Sequence, residues 1–332
     1  LYSEVREKVV ENIARIQSTA AAVARLDVFA SFAQAGMRGG YCRPQMNLSG
    51  ALSIRGGRHP VIEAMNREAP FVCNDVYLDM EKDRIAVITG PNMSGKSTYM
   101  RMTALIVLMA QIGCYVPADS ADLSIVDGIY TRVGAADDLA TGQSTFMVEM
   151  SEVADILKNA TANSLIILDE IGRGTSTFDG MAIARAVVEY IASRRTLGAK
   201  AMFATHYHEL TCLEDELDGV KNYNVSVRKQ GEDVIFLRRI VRGGADESYG
   251  IYVSRLAGVP DPVVRRAQAL LKEFEAGRVP VPQQKKEPEE TGQIVIRQEK
   301  ESELVRRLRE IDPNNLTPIA ALSVLMELRS LL

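Results

Sequence analysis

The stretch Gly90-Pro91-Asn92-Met93-Ser94-Gly95-Lys96-Ser97 constrains this chain more than any other, because it fits GxxxxGK[ST] and joins two elements of different periodicity. Before it runs Ile85-Ala86-Val87-Ile88, short and wholly apolar. After it Met100, Leu105, Leu108, Met109 and Ile112 recur at helical spacing until Gly113. A strand that turns on glycine into a helix begins a crossover unit, and crossover units build parallel sheets. The alternation continues. Residues 146–157 read as a helix, Leu165-Ile166-Ile167-Leu168 as a strand, 178–191 as a helix and Ala201-Met202-Phe203-Ala204 as a strand. The expectation is an α/β fold, with a mainly parallel sheet covered by helices on both faces.

The flanking regions differ. Val5, Val9, Ile13, Ile16, Ala20 and Val23 predict one long packing helix from residue 4 to about residue 33, ended by Gly36, Gly39 and Gly40. In 220–240, Tyr223, Val225 and Val227 alternate, Gly231 turns, and Val234, Phe236 and Ile240 alternate again, which predicts a β-hairpin. Helical patterns return at 249–256 and 262–274. Residues 276–298, rich in Pro, Gln, Lys and Glu, read as a linker. Residues 299–311 and the segment holding Ile319, Leu322, Leu325, Met326 and Leu328 read as a helical pair, broken by Asp312-Pro313-Asn314-Asn315 and restarted at Thr317-Pro318. Two such helices hold too little core to stand alone and are expected to pack on another chain.

The glycine loop carries a chemical expectation. Glycines let backbone N–H groups turn inward around phosphate oxygens, and the helix that follows adds its positive N-terminus. Lys96 can reach the β- and γ-phosphates, and the Ser97 hydroxyl can bind Mg²⁺. The strand ending at Leu168 supplies Asp169 for the metal and Glu170 to orient and deprotonate a water. Ala204-Thr205-His206 ends the next strand; His206 can touch a terminal phosphate or be a satisfied core histidine beside Tyr207. Ser144 or Thr145 can cap the helix that follows, and the same helix start can serve as a second anion site for a nucleotide held by another subunit.

Composition bounds the partners. The net charge of −4 disfavours non-specific DNA binding by this piece alone. Cys42, Cys73, Cys114 and Cys212 form no CxxC pair, so a zinc site or a disulfide framework is not expected and the thiols read as reduced. No window holds enough unbroken apolar residues to span a membrane, and Leu1-Tyr2-Ser3-Glu4-Val5 is not a secretion signal. Without an initiator Met the chain reads as a piece of a longer one.

Several stretches together resemble one family. They are Gly56-Gly57-Arg58-His59-Pro60, the glycine loop with Thr89 and Thr98, Arg132-Val133-Gly134-Ala135-Ala136-Asp137-Asp138 and Ser144-Thr145-Phe146-Met147-Val148-Glu149-Met150. Asp169-Glu170-Ile171-Gly172-Arg173-Gly174-Thr175-Ser176-Thr177 and Ala204-Thr205-His206 complete the set. They look like the MutS-type DNA mismatch-repair ATPases, relatives of the ABC-type ATPases, and the likeness covers nearly the whole chain. Its Met147-Val148-Glu149-Met150 form and terminal helices favour the bacterial branch.

The resemblance implies a P-loop NTPase of the ABC type, preceded by a helical segment and followed by a small helical module. The implied domains are 1–50 as the end of a helical core or lever, 51–275 as the ATPase, 276–298 as linker and 299–332 as an oligomerisation module. ATP and Mg²⁺ are the implied ligands. The nucleotide loop comprises Gly90, Pro91, Asn92, Met93, Ser94, Gly95, Lys96, Ser97 and Thr98. Asp169 and Ser97 match metal positions, Glu170 the water position, and His206 a γ-phosphate sensor. Phe71 matches an aromatic that stacks on adenine, Arg238 falls where the family covers the other face, and Ser144 matches a residue acting in trans on the partner's ATP.

The implied partners are a second copy of the chain, or a tetramer through the C-terminal helices, mismatched duplex DNA through the longer protein, and a MutL-type protein. The setting is the bacterial cytoplasm. A sliding clamp is an alternative partner, since Gln293-Ile294-Val295-Ile296 starts such a binding peptide but lacks its bulky ending. Two features depart from the family. Position 94 is Ser where many relatives have Gly, with no expected loss because its N–H remains. None of the eight Phe residues begins the Phe-x-Glu motif that reads mismatches, so this piece by itself is not expected to recognise them. A transporter ATPase subunit is disfavoured by the missing Leu-Ser-Gly-Gly-Gln signature. A non-enzymatic assembly module is disfavoured by the intact Lys96, Asp169 and Glu170.

Overall fold

The computed structural model describes residues 1–66, 70–91, 94–134, 144–230, 233–244, 249–275 and 326. The chain divides into two compact units, Leu1–Leu270 and Leu271–Leu332. Of the second unit, the described residues are 271–275 and Met326, all helical. The predicted linker, the Gly231 turn and, apart from Met326, the terminal helical pair lie outside the described residues.

The first unit opens with α1 (Tyr2–Glu11) and α2 (Ile13–Gly39). The single helix expected here is broken at Asn12 and runs further, to Gly39, where Gly40 takes the left-handed conformation (φ 56°). Its apolar stripe finds no core: Val5, Val9, Ile13, Ile16 and Val23 are exposed.

Short elements follow: β1 (Gln45–Asn47), β2 (Leu52–Gly57), α3 (Pro60–Met65), capped by His59, and β3 (Asn74–Leu78). Next come β4 (Ile85–Thr89), α4 (Lys96–Gln111), β5 (Ser120–Ser124), β6 (Ile129–Arg132) and α5 (Thr145–Asn159). Then β7 (Leu165–Asp169), α6 (Thr177–Ala192), β8 (Lys200–Thr205), a 3₁₀ turn (His208–Cys212) and α7 (Leu213–Glu216). The described part ends with β9 (Val220–Gln230), β10 (Asp233–Arg242), α8 (Gly250–Leu256) and α9 (Asp261–Glu275).

The larger sheet has the order β10-β9-β4-β8-β7-β6. Its pairs are parallel except β9–β10, the predicted hairpin, which adds an antiparallel edge. Period two explains the continuous apolar runs. Ala86, Ile88, Leu165, Ile167, Met202 and Ala204 face one core, and Ile85, Val87, Ile166, Leu168, Ala201 and Phe203 face the other. The second core is closed by Val153 and Ile156 of α5 and by Ala184, Val187, Val188 and Ile191 of α6.

A second sheet, β1-β5-β2-β3, was not foreseen. Its strands β2, β3 and β5 put Leu52, Ile54, Val76, Leu78 and Leu123 into the first core, against Met100, Met102, Ile106 and Val107 of α4. Leu108 and Ile112, two of the residues that recur at helical spacing, are 48% and 55% exposed, because a helix held between two sheets buries a broad surface and leaves a narrow rim in solvent.

Candidate functional site

Strand register creates the site. Thr89 of β4 lies opposite Thr205 of β8, and Asp169 of β7 opposite Ala204, so three adjacent parallel strands end together. In open α/β sheets the crevice beyond the carboxyl ends of strands is where ligands bind. A cavity of about 890 Å³ lies here, bounded by the glycine loop, the end of β7, the segment before β3 and the outer hairpin.

The loop leaves β4 through Gly90 (φ 141°) and enters α4 through Gly95 (φ 107°), both in backbone regions that favour glycine. Lys96 is the first residue of α4 and is only 4% exposed. Its Nζ donates to the carbonyls of Gly90 (2.6 Å) and Pro91 (3.0 Å) and stands 3.8 Å from Glu170 Oε1. Burial lowers its pKa, opposed by Glu170 and Asp169.

Asp169 ends β7. Burial raises its pKa, while a hydrogen bond from Ser97 works the other way. Its Oδ1 is buried without a hydrogen-bond partner. A buried carboxylate oxygen with one face unfilled, beside a hydroxyl, is the donor set a hard cation takes. Glu170 follows with φ 53°, a left-handed conformation rare outside glycine, and its N–H donates to Ala204 O (2.9 Å). Arg173 Nη1 donates to its Oε2 (2.8 Å).

The structure brings most of the expected residues together. Phe71, Pro91, Ser94, Gly95, Lys96, Ser97, Thr98, Asp169, Glu170 and Arg238 all line the cavity, with Gly90 buried just behind it. Asn92 and Met93 lie outside the described residues. His206 follows β8 but does not line the cavity. It is exposed, with its ring 4.1 Å from that of Tyr207. Its pKa is lowered, first by desolvation and then by nearby cations, with Glu170 opposing. Ser144 is exposed and caps α5, its Oγ accepting from Met147 N–H (3.2 Å); its neighbour Thr145 lines the cavity.

Sequence reasoning missed the supports. Glu149, 6% exposed, accepts from Gly172 N–H through Oε1 (2.6 Å) and faces Arg132 through Oε2 (3.7 Å). Tyr207 Oη donates to Gly172 O (3.0 Å). Both contacts hold the turn that carries Glu170. Glu149 and Arg132 stand within motifs that carry the resemblance, but nothing in their spacing assigns them a partner. Among the described residues no cluster of His, Cys, Asp and Glu suggests a further metal site, and no helix is long and apolar enough to cross a membrane.

The arrangement defines a class: a mixed α/β protein whose glycine loop, buried lysine and acid pair gather where parallel strands end. The chain belongs to the MutS family of DNA mismatch-repair proteins. The sequence profile of MutS domain V, the family's ATPase domain, matches residues 86–275, and that of the DNA mismatch repair protein MutS C-terminal region matches residues 298–331. The DNA mismatch repair protein MutS of Ruminiclostridium cellulolyticum is 55% identical over 99% of this chain, and that of Caldicellulosiruptor bescii 52% over 99%. The protein of the same name from Lachnoclostridium phytofermentans is 60% identical over 82% of the chain. The chain spans 38% and 39% of the length of the first two and 29% of the third.

Proposed function

We propose that this chain binds and hydrolyses ATP in the cavity around Lys96, as the P-loop, ABC-type ATPase region of a mismatch-repair protein. Two facts support the reading: the match to MutS domain V, and the meeting of Lys96, Ser97, Asp169 and Glu170 in one cavity. The observation that carries it is the buried, unpartnered Oδ1 of Asp169 beside Ser97, which is costly to maintain unless a cation takes it.

Each residue then has a task. Lys96 exchanges its bonds to the Gly90 and Pro91 carbonyls for bonds to phosphate oxygens, while backbone N–H groups of the loop surround the chain of phosphates. Ser97 and Asp169 would hold Mg²⁺, which would supply neutralisation of the phosphate charge. Glu170 orients a water and takes its proton as the oxygen attacks the γ-phosphorus and the bond to the bridging oxygen breaks, leaving ADP and phosphate. His206, outside the cavity lining just beyond β8, serves as the sensor of the terminal phosphate, and Phe71 and Arg238 cover the two faces of the adenine. Ser144 acts on the nucleotide of a second copy, so the working unit is a homodimer with two composite sites.

In the longer protein the cycle couples to the grip on mismatched duplex DNA. A MutL-type partner and a bacterial cytoplasmic setting go with that reading, as does tetramer formation through 299–332. The regions 1–50, 51–275, 276–298 and 299–332 divide the work as helical lever, ATPase, linker and oligomerisation module.

The test is ATP turnover per subunit against protein concentration. Composite sites make it fall on dilution below the dimer affinity; a rate that stays flat removes Ser144 from the mechanism. Glu170→Ala is expected to keep Mg·ATP binding and lose turnover by about 10²-fold or more. Unchanged turnover removes Glu170 from its role.

A further inference from the structure

Phe71 and Arg238 line one cavity although they stand 167 positions apart, in the segment before β3 of the small sheet and in β10 of the large one. One side chain joins them. Asn74, the first residue of β3, is 7% exposed and makes three hydrogen bonds. Its Nδ2 donates to Val72 O (3.2 Å), next to Phe71, and to Arg238 O (3.0 Å). Its Oδ1 accepts from Ile240 N–H (2.7 Å).

These contacts fall where the hairpin needs them. The β9–β10 register shifts between Phe236 and Ile240, which withdraws residues of β10 from the ladder. Arg238 sits in that bulge with φ 55°, a left-handed conformation that a non-glycine residue keeps only when its surroundings over-determine it. The Asn74 amide provides that determination by binding the carbonyl of Arg238 and the N–H of Ile240 together. A primary amide offers two donors and an acceptor on one short plane. Aspartate would set a carboxylate against two carbonyls, and serine has a single donor. The side chain of Arg238 is also kept near the phosphate loop, since a Cβ built on Gly95 would lie 3.8 Å from Arg238 Cβ.

We propose that Asn74 is a positioning residue that sets the gap between Phe71 and Arg238 into which a flat nucleobase slides. The proposal rests on the nucleotide reading above and adds a division of labour: Asn74 governs affinity for the base, and the loop at Lys96 governs affinity for the phosphates. Both amide hydrogens of Asn74 are already engaged by backbone carbonyls, so its action on the base passes through Phe71 and Arg238.

The experiment is calorimetric titration of the full chain with Mg·ATP and, separately, with Mg·tripolyphosphate, which has the phosphates but no base. Wild type, Asn74→Asp, Asn74→Ser and Phe71→Ala are compared. Asn74→Asp is expected to weaken ATP about tenfold, the loss from one misplaced stacking contact, and to leave tripolyphosphate within about twofold. Asn74→Ser is expected to lie between wild type and Asn74→Asp, since it keeps one donor. Combining Asn74→Asp with Phe71→Ala is expected to cost no more than the larger single loss, because both act on one contact. ATP affinity unchanged in Asn74→Asp overturns the proposal. So does a parallel loss of both ligands in both Asn74 variants, or full additivity with Phe71→Ala. Wild-type chain that takes up neither ligand refutes the nucleotide reading itself, a result distinct from the others.

Discussion

Gly180→Ala sets two physical effects against each other. Gly180 is the fourth residue of α6, and a helical glycine replaced by alanine ordinarily gains about 0.5–1 kcal/mol from reduced backbone entropy. Here the added methyl would meet the Gly172 carbonyl oxygen at 2.1 Å and the Tyr207 hydroxyl at 2.4 Å. Gly172 cannot easily retreat. Its φ is 88°, its N–H is held by Glu149 at 2.6 Å and its carbonyl by Tyr207 at 3.0 Å. Overpacking costs about 1–3 kcal/mol, and separating Tyr207 from a buried carbonyl costs about 1 kcal/mol more. The expected net loss is about 1–3 kcal/mol after the propensity gain is subtracted, or a Tm lowered by roughly 2–10 °C for a unit of this size.

The assay is thermal unfolding followed by circular dichroism. Gly250→Ala serves as control, because among the described residues nothing lies within 4 Å of a Cβ at Gly250 in the first turn of α8. That control is expected to change stability by no more than about 0.5 kcal/mol. ATP turnover of Gly180→Ala is expected to fall as well, since Gly172 lies two residues beyond Glu170. A Gly180→Ala protein that melts at or above wild type refutes the close approach of α6 to the turn after β7.

Three other substitutions probe the same site. Burial raises the pKa of Asp169 above its ordinary 3.8, so the folded state holds that proton more tightly than the unfolded state. Its favourable contribution is complete below 3.8 and is lost as pH rises through the raised folded value. Ligand-free Asp169→Asn is therefore expected to melt at or above wild type at neutral pH, with the gap closing under acid, and to lack the stabilisation by Mg·ATP expected of wild type; a large drop in ligand-free Tm at neutral pH contradicts this. Arg132 offers a second comparison. It is 2.7 Å from Glu152, whose side chain is 52% exposed, and 3.7 Å from Glu149, whose side chain is 8% exposed. Burial outweighs distance here: Glu149→Ala is expected to cost about 2–4 kcal/mol and Glu152→Ala less than about 1 kcal/mol, and chemical denaturation of both decides it.

The strands and helices of the large sheet were legible because each has its own period or its own glycine. Strands β4, β7 and β8 announced themselves as apolar runs, since a strand buried on both faces has no polar side to interrupt it. The reading lost accuracy where partners are distant. The four-stranded sheet pairs β2 with β5 some 70 residues away, and its short strands carry little pattern of their own. The exposure of Leu108 and Ile112 has the same origin, because the inward face of α4 is set by what lies on either side of it.

Covalent spacing determined the loop Gly90–Ser97, the neighbours Asp169 and Glu170, and their place at the ends of strands, because these relations lie within a few residues of one another. Tertiary structure alone decided which groups support them. Glu149 reaches Gly172 across 23 positions, and Asn74 reaches Arg238 and Ile240 across 164 and 166. A hydrogen bond between such residues leaves no local signature, since any polar side chain of the right size has the same composition whether its partner is water or a backbone held in place by the fold.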